Sequence, residues 1–329
     1  MQRVLSGIQP SGSLHLGNLV GAIENFVKLQ ESYEAFYMIA DWHALTSKFD
    51  KVEELAPANL EVTATFLAAG LDPQRSTLFV QSQVKEHAEL HLLFSMITPL
   101  SWVERVPTYK EKLQNSAADL GSYGFLGYPI LQAADILIYK AAKVPVGEDQ
   151  LFHLELTREI ARRFHFLYNV ETFPEPQAVL TKAVRVPGLD GRKMSKTYDN
   201  GIYLRDTPDQ ILHKCTRQML SDTARVRKTD PGNPEICNVF TFHKLFSSEE
   251  TLAEVADQCP KAGIGCFDCK KRLAEAITAR VEPLRVKIED HLAHPDHLLD
   301  ILREGRSRAR QTAQATLAEV RQAMKLPAD

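Results

Sequence analysis

Short apolar runs alternate with helical spacing through the first part of the chain. Arg3–Ile8 is a strand-like run that ends at Gln9-Pro10-Ser11-Gly12, residue types that punctuate regular structure. From Leu16, the apolar residues Leu19, Val20, Ile23 and Val27 recur at the spacing of one helix face. Phe36–Ala40 reads as a second buried strand, Glu53–Ala69 as a second helix and Thr77–Val80 as a third strand. Val144–Val146 is a further short strand, followed by Gly147-Glu148-Asp149-Gln150 and a helix to about Phe164. This alternation predicts an α/β fold, a parallel sheet covered by helices on both faces. After about residue 200 the strand signals fade, and Pro208–Met219, Ser248–Gln258, Lys270–Leu292 and Thr312–Met324 read as helices. An α/β domain over residues 1–200 and a mostly helical domain over 201–329 follow.

Composition fits that division. The 329 residues are 44% hydrophobic, 25% charged and 8% aromatic, an ordinary globular profile with length for about two domains. A net charge of -3 gives no overall basic character that would mark a nucleic-acid binder. No apolar run approaches the roughly 18 residues of a membrane helix, and the start, MQRVLSGIQPSG, has no signal-peptide core. The expectation is a cytoplasmic protein with no membrane partner. Charge shifts along the chain, from 19 basic and 23 acidic side chains in residues 1–200 to 20 and 19 in the rest. Arg303, Arg306, Arg308 and Arg310 form the densest basic stretch, open to two readings: a solvated helix face or a phosphate contact.

Two segments carry chemistry. Ser6–Asn18, SGIQPSGSLHLGN, sits where the first strand turns into the first helix. In an open α/β sheet, ligands bind outside the carboxyl ends of the strands, and a helix start there favours anions. Gly7 and Gly12 allow close backbone approach, while His15 and Asn18 offer two neutral donors suited to phosphate oxygens. Gly191–Asn200, GRKMSKTYDN, places Lys193 and Lys196 around Met194 and Ser195 in a loop set off by Pro187, Gly188 and Gly191. Such a pair suits a clamp on polyphosphate that neutralises a leaving group.

Together, His-Leu-Gly-Asn at 15–18 and Lys-Met-Ser-Lys-Thr at 193–197 resemble the paired signatures of class I aminoacyl-tRNA synthetases. Asn18 stands for the usual second histidine and Thr197 for the usual final serine; both keep the needed hydrogen-bonding groups. SGIQPSGSLHLGNLVGA, ADWHALT, YPILQAADILIY and VPVGEDQ narrow the resemblance to the bacterial tryptophanyl-tRNA synthetases. It spans essentially the whole chain.

The resemblance implies a Rossmann-like nucleotide-binding domain and a helical domain, 201–329, that reads the anticodon end of tRNA(Trp). It implies activation of L-tryptophan by ATP, with Mg²⁺ on the phosphates, and then transfer to the tRNA. Catalytic roles pass to His15, Asn18, Lys193 and Lys196. ATP contacts pass to Gln9, Pro10, Ser11, Gly17, Asn18, Gly147, Glu148, Asp149 and Val186, and to Lys193, Met194, Ser195, Lys196 and Thr197. Asp135 would accept the indole N–H, the one polar handle on an otherwise apolar ring. Tyr128, His43, Gln150 and Gln132 stand near it, with Leu5 and Gly7 opposite; Gln132 replaces the methionine many relatives carry. A homodimer formed through an insertion at about 85–140 is also implied.

Five cysteines include Cys237, Cys259, Cys266 and Cys269, with spacers of 21, 6 and 2 residues; Cys215 stands apart as a buried apolar residue. Four thiolates ending in C-x-x-C satisfy either Zn²⁺ or a [4Fe–4S] cluster. The spacing resembles a cluster pattern in some bacterial tryptophanyl-tRNA synthetases, one residue short in the first spacer. Lys261 and Lys270-Lys271-Arg272 lie nearby. Alternative readings are a tyrosyl-tRNA synthetase, a small-molecule adenylyltransferase or pantothenate-type ligase, and an inactive synthetase-like RNA binder. The AADIL and GIQPSG segments tell against the first, and His15, both lysines and Asp135 against the last.

Overall fold

The computed structural model describes residues 1–10, 12–107, 122–180 and 186–327. Ser11 and part of the 85–140 insertion lie outside the described residues, as do the side chains of Asp149 and Thr197. Among the described residues, five parallel strands, β1 (Arg3–Ile8), β2 (Glu34–Ile39), β3 (Ser76–Val80), β4 (Lys143–Val146) and β5 (Gln177–Leu180), are ordered β3-β2-β1-β4-β5. Every residue of β3 and all but the first of β2 are buried, which is why both read as unbroken apolar runs. Strand order reverses between β1 and β4, so the crevice favoured by ligands lies beyond Ile8 and Val146.

The chain forms two compact units. The first comprises Met1–Gly12, Asn25–Ala183 and His294–Asp329, the second Ser13–Glu24 and Val184–Ala293. In the first unit, the helices Glu86–Ile97, Tyr123–Ile138 and Leu151–Tyr168 pack in succession, burying Phe94, Phe125 and Phe164. The Leu55–Ala69 helix ends at Gly70, whose φ of 106° is the left-handed stop that glycine supplies.

The last helix, Pro295–Ala323, lies against β3 of this same unit. It begins well before the stretch from Thr312 expected as helix. Gly305 makes the approach possible, since a Cβ there would fall 1.7 Å from the Leu78 carbonyl oxygen. The basic stretch works structurally in this helix: Arg308 donates to the carbonyls of Pro73 and Ser76, Arg310 pairs with Glu86, and Arg303 with Asp300. Three of the four arginines are thus engaged by the protein itself.

In the second unit, the helices Pro208–His213 and Asn238–Phe246 pack on the long helix Cys266–Ala293. Phe242, Leu273, Ile277 and Val281 are fully buried there. Expected as one helix, Pro208–Met219 is α-helical only to His213 and continues as a π-helical turn over Lys214–Gln218. Among the described residues, no helix is long and apolar enough to cross a membrane.

Candidate active site

The second unit brings the two lysine- and histidine-bearing segments together. Leu16 N–H donates to the Ile202 carbonyl and Leu204 N–H to that of Leu14, so the residues just past the lysine loop hold the turn that carries His15. Gly17 and Gly201 sit close to both His15 and Met194, where a Cβ would meet them at between 3.0 and 3.8 Å. Met194 is buried and anchors the loop. Asn200 braces it: its carbonyl accepts Ser195 N–H, and its amide donates to Asp190 and to the Lys193 carbonyl.

His15 caps the helix that follows it. Its Nδ1 accepts Asn18 N–H, and the Asn18 side-chain carbonyl accepts His15 N–H, a reciprocal capping box. With Nδ1 occupied as acceptor, the ring proton sits on Nε2, which is left as a donor. Burial, then the charge of Lys196 and that of Lys193, lowers the His15 pKa to about 4. The imidazole is therefore neutral near pH 7 and lies within the field of both ammonium groups.

The first unit holds a second, drier constellation. On the Tyr123–Ile138 helix, Tyr128, Gln132 and Asp135 fall on one face at spacings of four and three residues. Asp135 is 1% exposed. Its Oδ1 accepts His87 Nδ1–H at 2.6 Å and its Oδ2 accepts His43 Nε2–H at 2.7 Å. Gln81 Nε2 donates to both oxygens at 2.9 Å. Burial pushes the carboxyl pKa up, but the hydrogen bonds from His43 and His87 outweigh it and hold it well below the usual carboxylate range. Since Asp135 is an anion that can only accept, His87 Nδ1 carries the proton, and Tyr139 O–H donates to His87 Nε2 at 2.7 Å. Tyr128 stands edge-on to His43 and 3.3 Å from His153 Nε2 through its hydroxyl.

Around the strand ends, Gln9 and Gly7 are exposed and Pro10 is buried. Gly7 runs tight against β2, where a Cβ would fall 2.7 Å from the Met38 carbonyl oxygen. Leu5 is in the core of the first unit. Gly147 precedes the short turn Glu148–Gln150 past β4 and accepts Gln150 N–H. Val186 is buried in the second unit beside the Pro187–Lys193 bridge.

Sequence reasoning missed Gln81, His87, Tyr139 and Asn200 as site residues. Gln81 follows β3 directly, so its place at a strand's carboxyl end was the available signal. His87 and Tyr139 carry no local signal, because their partners lie 48 and 52 residues away.

Of the cysteines, Cys237 precedes the Asn238–Phe246 helix, Cys259 ends Glu249–Gln258, and Cys266 and Cys269 open Cys266–Ala293. Burial and the charges of the other three lift the Cys269 thiol to about 12, and its sulfur lies 3.4 Å from His243 Nε2. All five cysteines are free. The donor set suits a thiophilic centre, yet among the described residues no three His, Cys, Asp or Glu side chains are arranged to hold one metal ion. Cys215 is fully buried, as expected.

Comparison with known proteins gives concordant findings. A family model described as class I tRNA synthetases (W and Y) matches residues 1–282. A tryptophan–tRNA ligase of Thermotoga maritima is 52% identical over 327 residues, covering 98% of this chain and 99% of that protein. One from Aquifex aeolicus is 41% identical, covering 99% and 100%. The crystal structure of tryptophanyl-tRNA synthetase from Campylobacter jejuni complexed with ADP and tryptophan superposes with a TM-score of 0.89 at 37% identity, covering 99% and 100%.

Proposed function

The chain belongs to the class I tRNA synthetases of the tryptophan and tyrosine group and is a tryptophan–tRNA ligase, and from that premise we propose how its residues divide the reaction. The observation that carries the proposal is a neutral His15, its tautomer fixed by Asn18, beside the charges of Lys193 and Lys196.

In the first step, the tryptophan carboxylate attacks the α-phosphorus of ATP in line and pyrophosphate leaves. Charge grows on the phosphate oxygens as the bond breaks. His15 Nε2–H and the Asn18 amide are neutral donors for it, while Lys193 and Lys196 neutralise the leaving pyrophosphate. Mg²⁺ held by the nucleotide phosphates would supply further charge neutralisation there. Gln9, Pro10, Ser11 and Gly17 follow the nucleotide, Gly147, Glu148 and Asp149 meet the ribose, and Val186 meets the adenine through its backbone. Met194 seats the loop in which Ser195 and Thr197 lie. Asp135 accepts the indole N–H, with Tyr128, His43, Gln132, Gln150 and Gly7 around the amino acid. The terminal ribose hydroxyl of tRNA(Trp) then attacks the mixed anhydride. No covalent enzyme intermediate is required; positioning and charge stabilisation carry the rate.

The finer assignments belong to the same proposal. The helical part after residue 201 takes the anticodon end of the tRNA. Exposed Leu92, Met96, Leu100 and Tyr123 support a second copy of the chain as partner through the 85–140 region, giving a homodimer. Cys237, Cys259, Cys266 and Cys269 hold an iron–sulfur cluster, with zinc the competing occupant, as a structural staple. The enzyme works in the cytoplasm, where tRNA and ATP are supplied. ATP–pyrophosphate exchange tests the core of this reading: tryptophan should support it and tyrosine and phenylalanine should not. Exchange with tyrosine in place of tryptophan would void the pocket assignment.

A further inference from the structure

Every lone-pair position of the Asp135 carboxylate is taken. Oδ1 accepts from His87 and Gln81, and Oδ2 from His43 and Gln81. A carboxylate offers about four such positions. An incoming indole N–H must therefore replace one of these donors.

The donors differ in how firmly they are held. Gln81 and His87 are fully buried. The far nitrogen of His87 is held by the Tyr139 hydroxyl, and the Tyr139 ring is stacked on Phe36 at 4.6 Å and is also fully buried. Moving either donor would leave a polar group unpaired in the core, which is costly. His43 is different. It lies in the first turn of the Asp41–Lys48 helix just past β2, and its side chain keeps 8% of its surface open. Its ring stands edge-on to Tyr128, the other aromatic assigned to the amino-acid pocket.

We infer that the tryptophan indole N–H takes the Oδ2 contact that His43 makes, while Gln81 and the Tyr139–His87 pair hold the carboxylate in place. Gln81, His87 and Tyr139 are thus positioning residues, and His43 is an exchangeable stand-in. The arrangement keeps the buried carboxylate paired both before and after substrate arrives. It also explains how an acceptor this deeply enclosed is aimed at one atom of an apolar ring. The inference rests on the reading of Asp135 as the indole acceptor.

The test compares tryptophan with its isostere in which sulfur replaces the indole N–H. ATP–pyrophosphate exchange is measured on the full-length protein, and the readout is the ratio of kcat/KM values. Tyr139→Phe and His87→Gln should each lower the ratio about tenfold, by reducing the tryptophan value while the isostere value changes less than twofold. A merely structural role would lower both substrates alike and overturn the assignment. If Asp135→Asn flattens the ratio but these two variants do not, the positioning role fails and the acceptor reading stands. If Asp135→Asn leaves the ratio unchanged, the acceptor reading fails and the inference with it. A second measurement needs no folding-sensitive variant. In wild-type protein with labelled histidine, the ring N–H resonance absent from His43→Gln should move when tryptophan is added, and that of His87 should not. A His43 signal unmoved by saturating tryptophan would overturn the exchange.

Discussion

His15 Nδ1 accepts the backbone N–H of Asn18 at 3.3 Å, and the Asn18 side-chain carbonyl accepts that of His15 at 3.0 Å. One pair of residues thus caps the helix and fixes which ring nitrogen is left to donate. The two functions separate by substitution. Asn18→Asp keeps the acceptor oxygen and the cap but removes the amide donor and sets a negative charge beside the phosphates. It should unfold within about 0.5 kcal/mol of wild type while exchange falls at least about 100-fold. Asn18→Ala keeps the backbone N–H that His15 Nδ1 accepts but loses the side-chain acceptor of His15 N–H, and should cost about 1 kcal/mol in urea unfolding. Equal stability losses in both variants would refute the division.

The low pKa of His15 has a sign that can be measured. In the unfolded chain the imidazole binds a proton near its ordinary value of 6.5; in the folded chain it does so only near 4. Between those values the unfolded state holds more protons, so stability falls as pH drops from about 6.5 to 4. Above 6.5 the histidine adds no pH dependence. His15→Gln should remove that part of the acid destabilisation, and a pH–stability curve unchanged by the substitution would contradict it. For the same reason, His15 should impose no acid limb on exchange above about pH 5.

Lys196 contributes its charge to that shift and is assigned to the leaving pyrophosphate. Lys196→Ala should lower the activation rate by about three orders of magnitude, the scale of a lost charged clamp on a transferring phosphoryl group. Tryptophan binding without ATP should be unchanged. The His15 resonance should titrate at a higher pH once the neighbouring charge is gone. A wild-type rate, or an unshifted His15 titration, would sink the assignment.

Asn200 shows where reading from sequence stopped. The motif at 191–200 was visible as two lysines around Met194-Ser195, but the brace that shapes the loop was not. Asn200 is 3% exposed and its amide sits where a Cβ on Gly188 would fall 2.1 Å away, a relation that only the folded loop creates. Asn200→Ala should destabilise the protein by about 2 kcal/mol through its unpaired partners and slow exchange more than it weakens tryptophan binding. The opposite split, with tryptophan affinity lost and the rate kept, would place the brace elsewhere.

The same contrast runs through the fold. β2 and β3 were legible because strands buried in a parallel sheet read as apolar runs, and β1 and β4 through their shorter apolar stretches. β5 was not, since both ends of Gln177–Leu180 are exposed and it lies at the sheet edge. Tyr123–Ile138 is buried along most of its length, so it shows little of the helical periodicity that marks a surface helix. The first half of Pro295–Ala323 was hidden by its arginines. Arg308 and Arg310 find partners 235 and 224 residues away, and no local pattern reports such distances. Gly305→Ala probes that packing directly: the added methyl would meet the Leu78 backbone and should cost about 3 kcal/mol or more. A melting temperature within a degree of wild type would show that the helix can shift without loss.

Cys237, Cys259, Cys266 and Cys269 come from the ends of three helices, so a centre bound to all four would tie those ends together. Binding to the folded state alone adds stability that chelation or oxidation removes. Full-length protein purified without oxygen should be brown and contain iron and inorganic sulfide in equal amounts. Cys266→Ser should lose the iron and melt at lower temperature. It should keep most ATP–pyrophosphate exchange, because the reacting groups assigned here, His15, Asn18, Lys193 and Lys196, are not its neighbours in sequence. Transfer to tRNA(Trp) should weaken, since the helical part is the one assigned to the anticodon end. A colourless preparation with one zinc per chain would give the site to zinc, and one with neither metal would leave the thiols without a resident ion and void the staple.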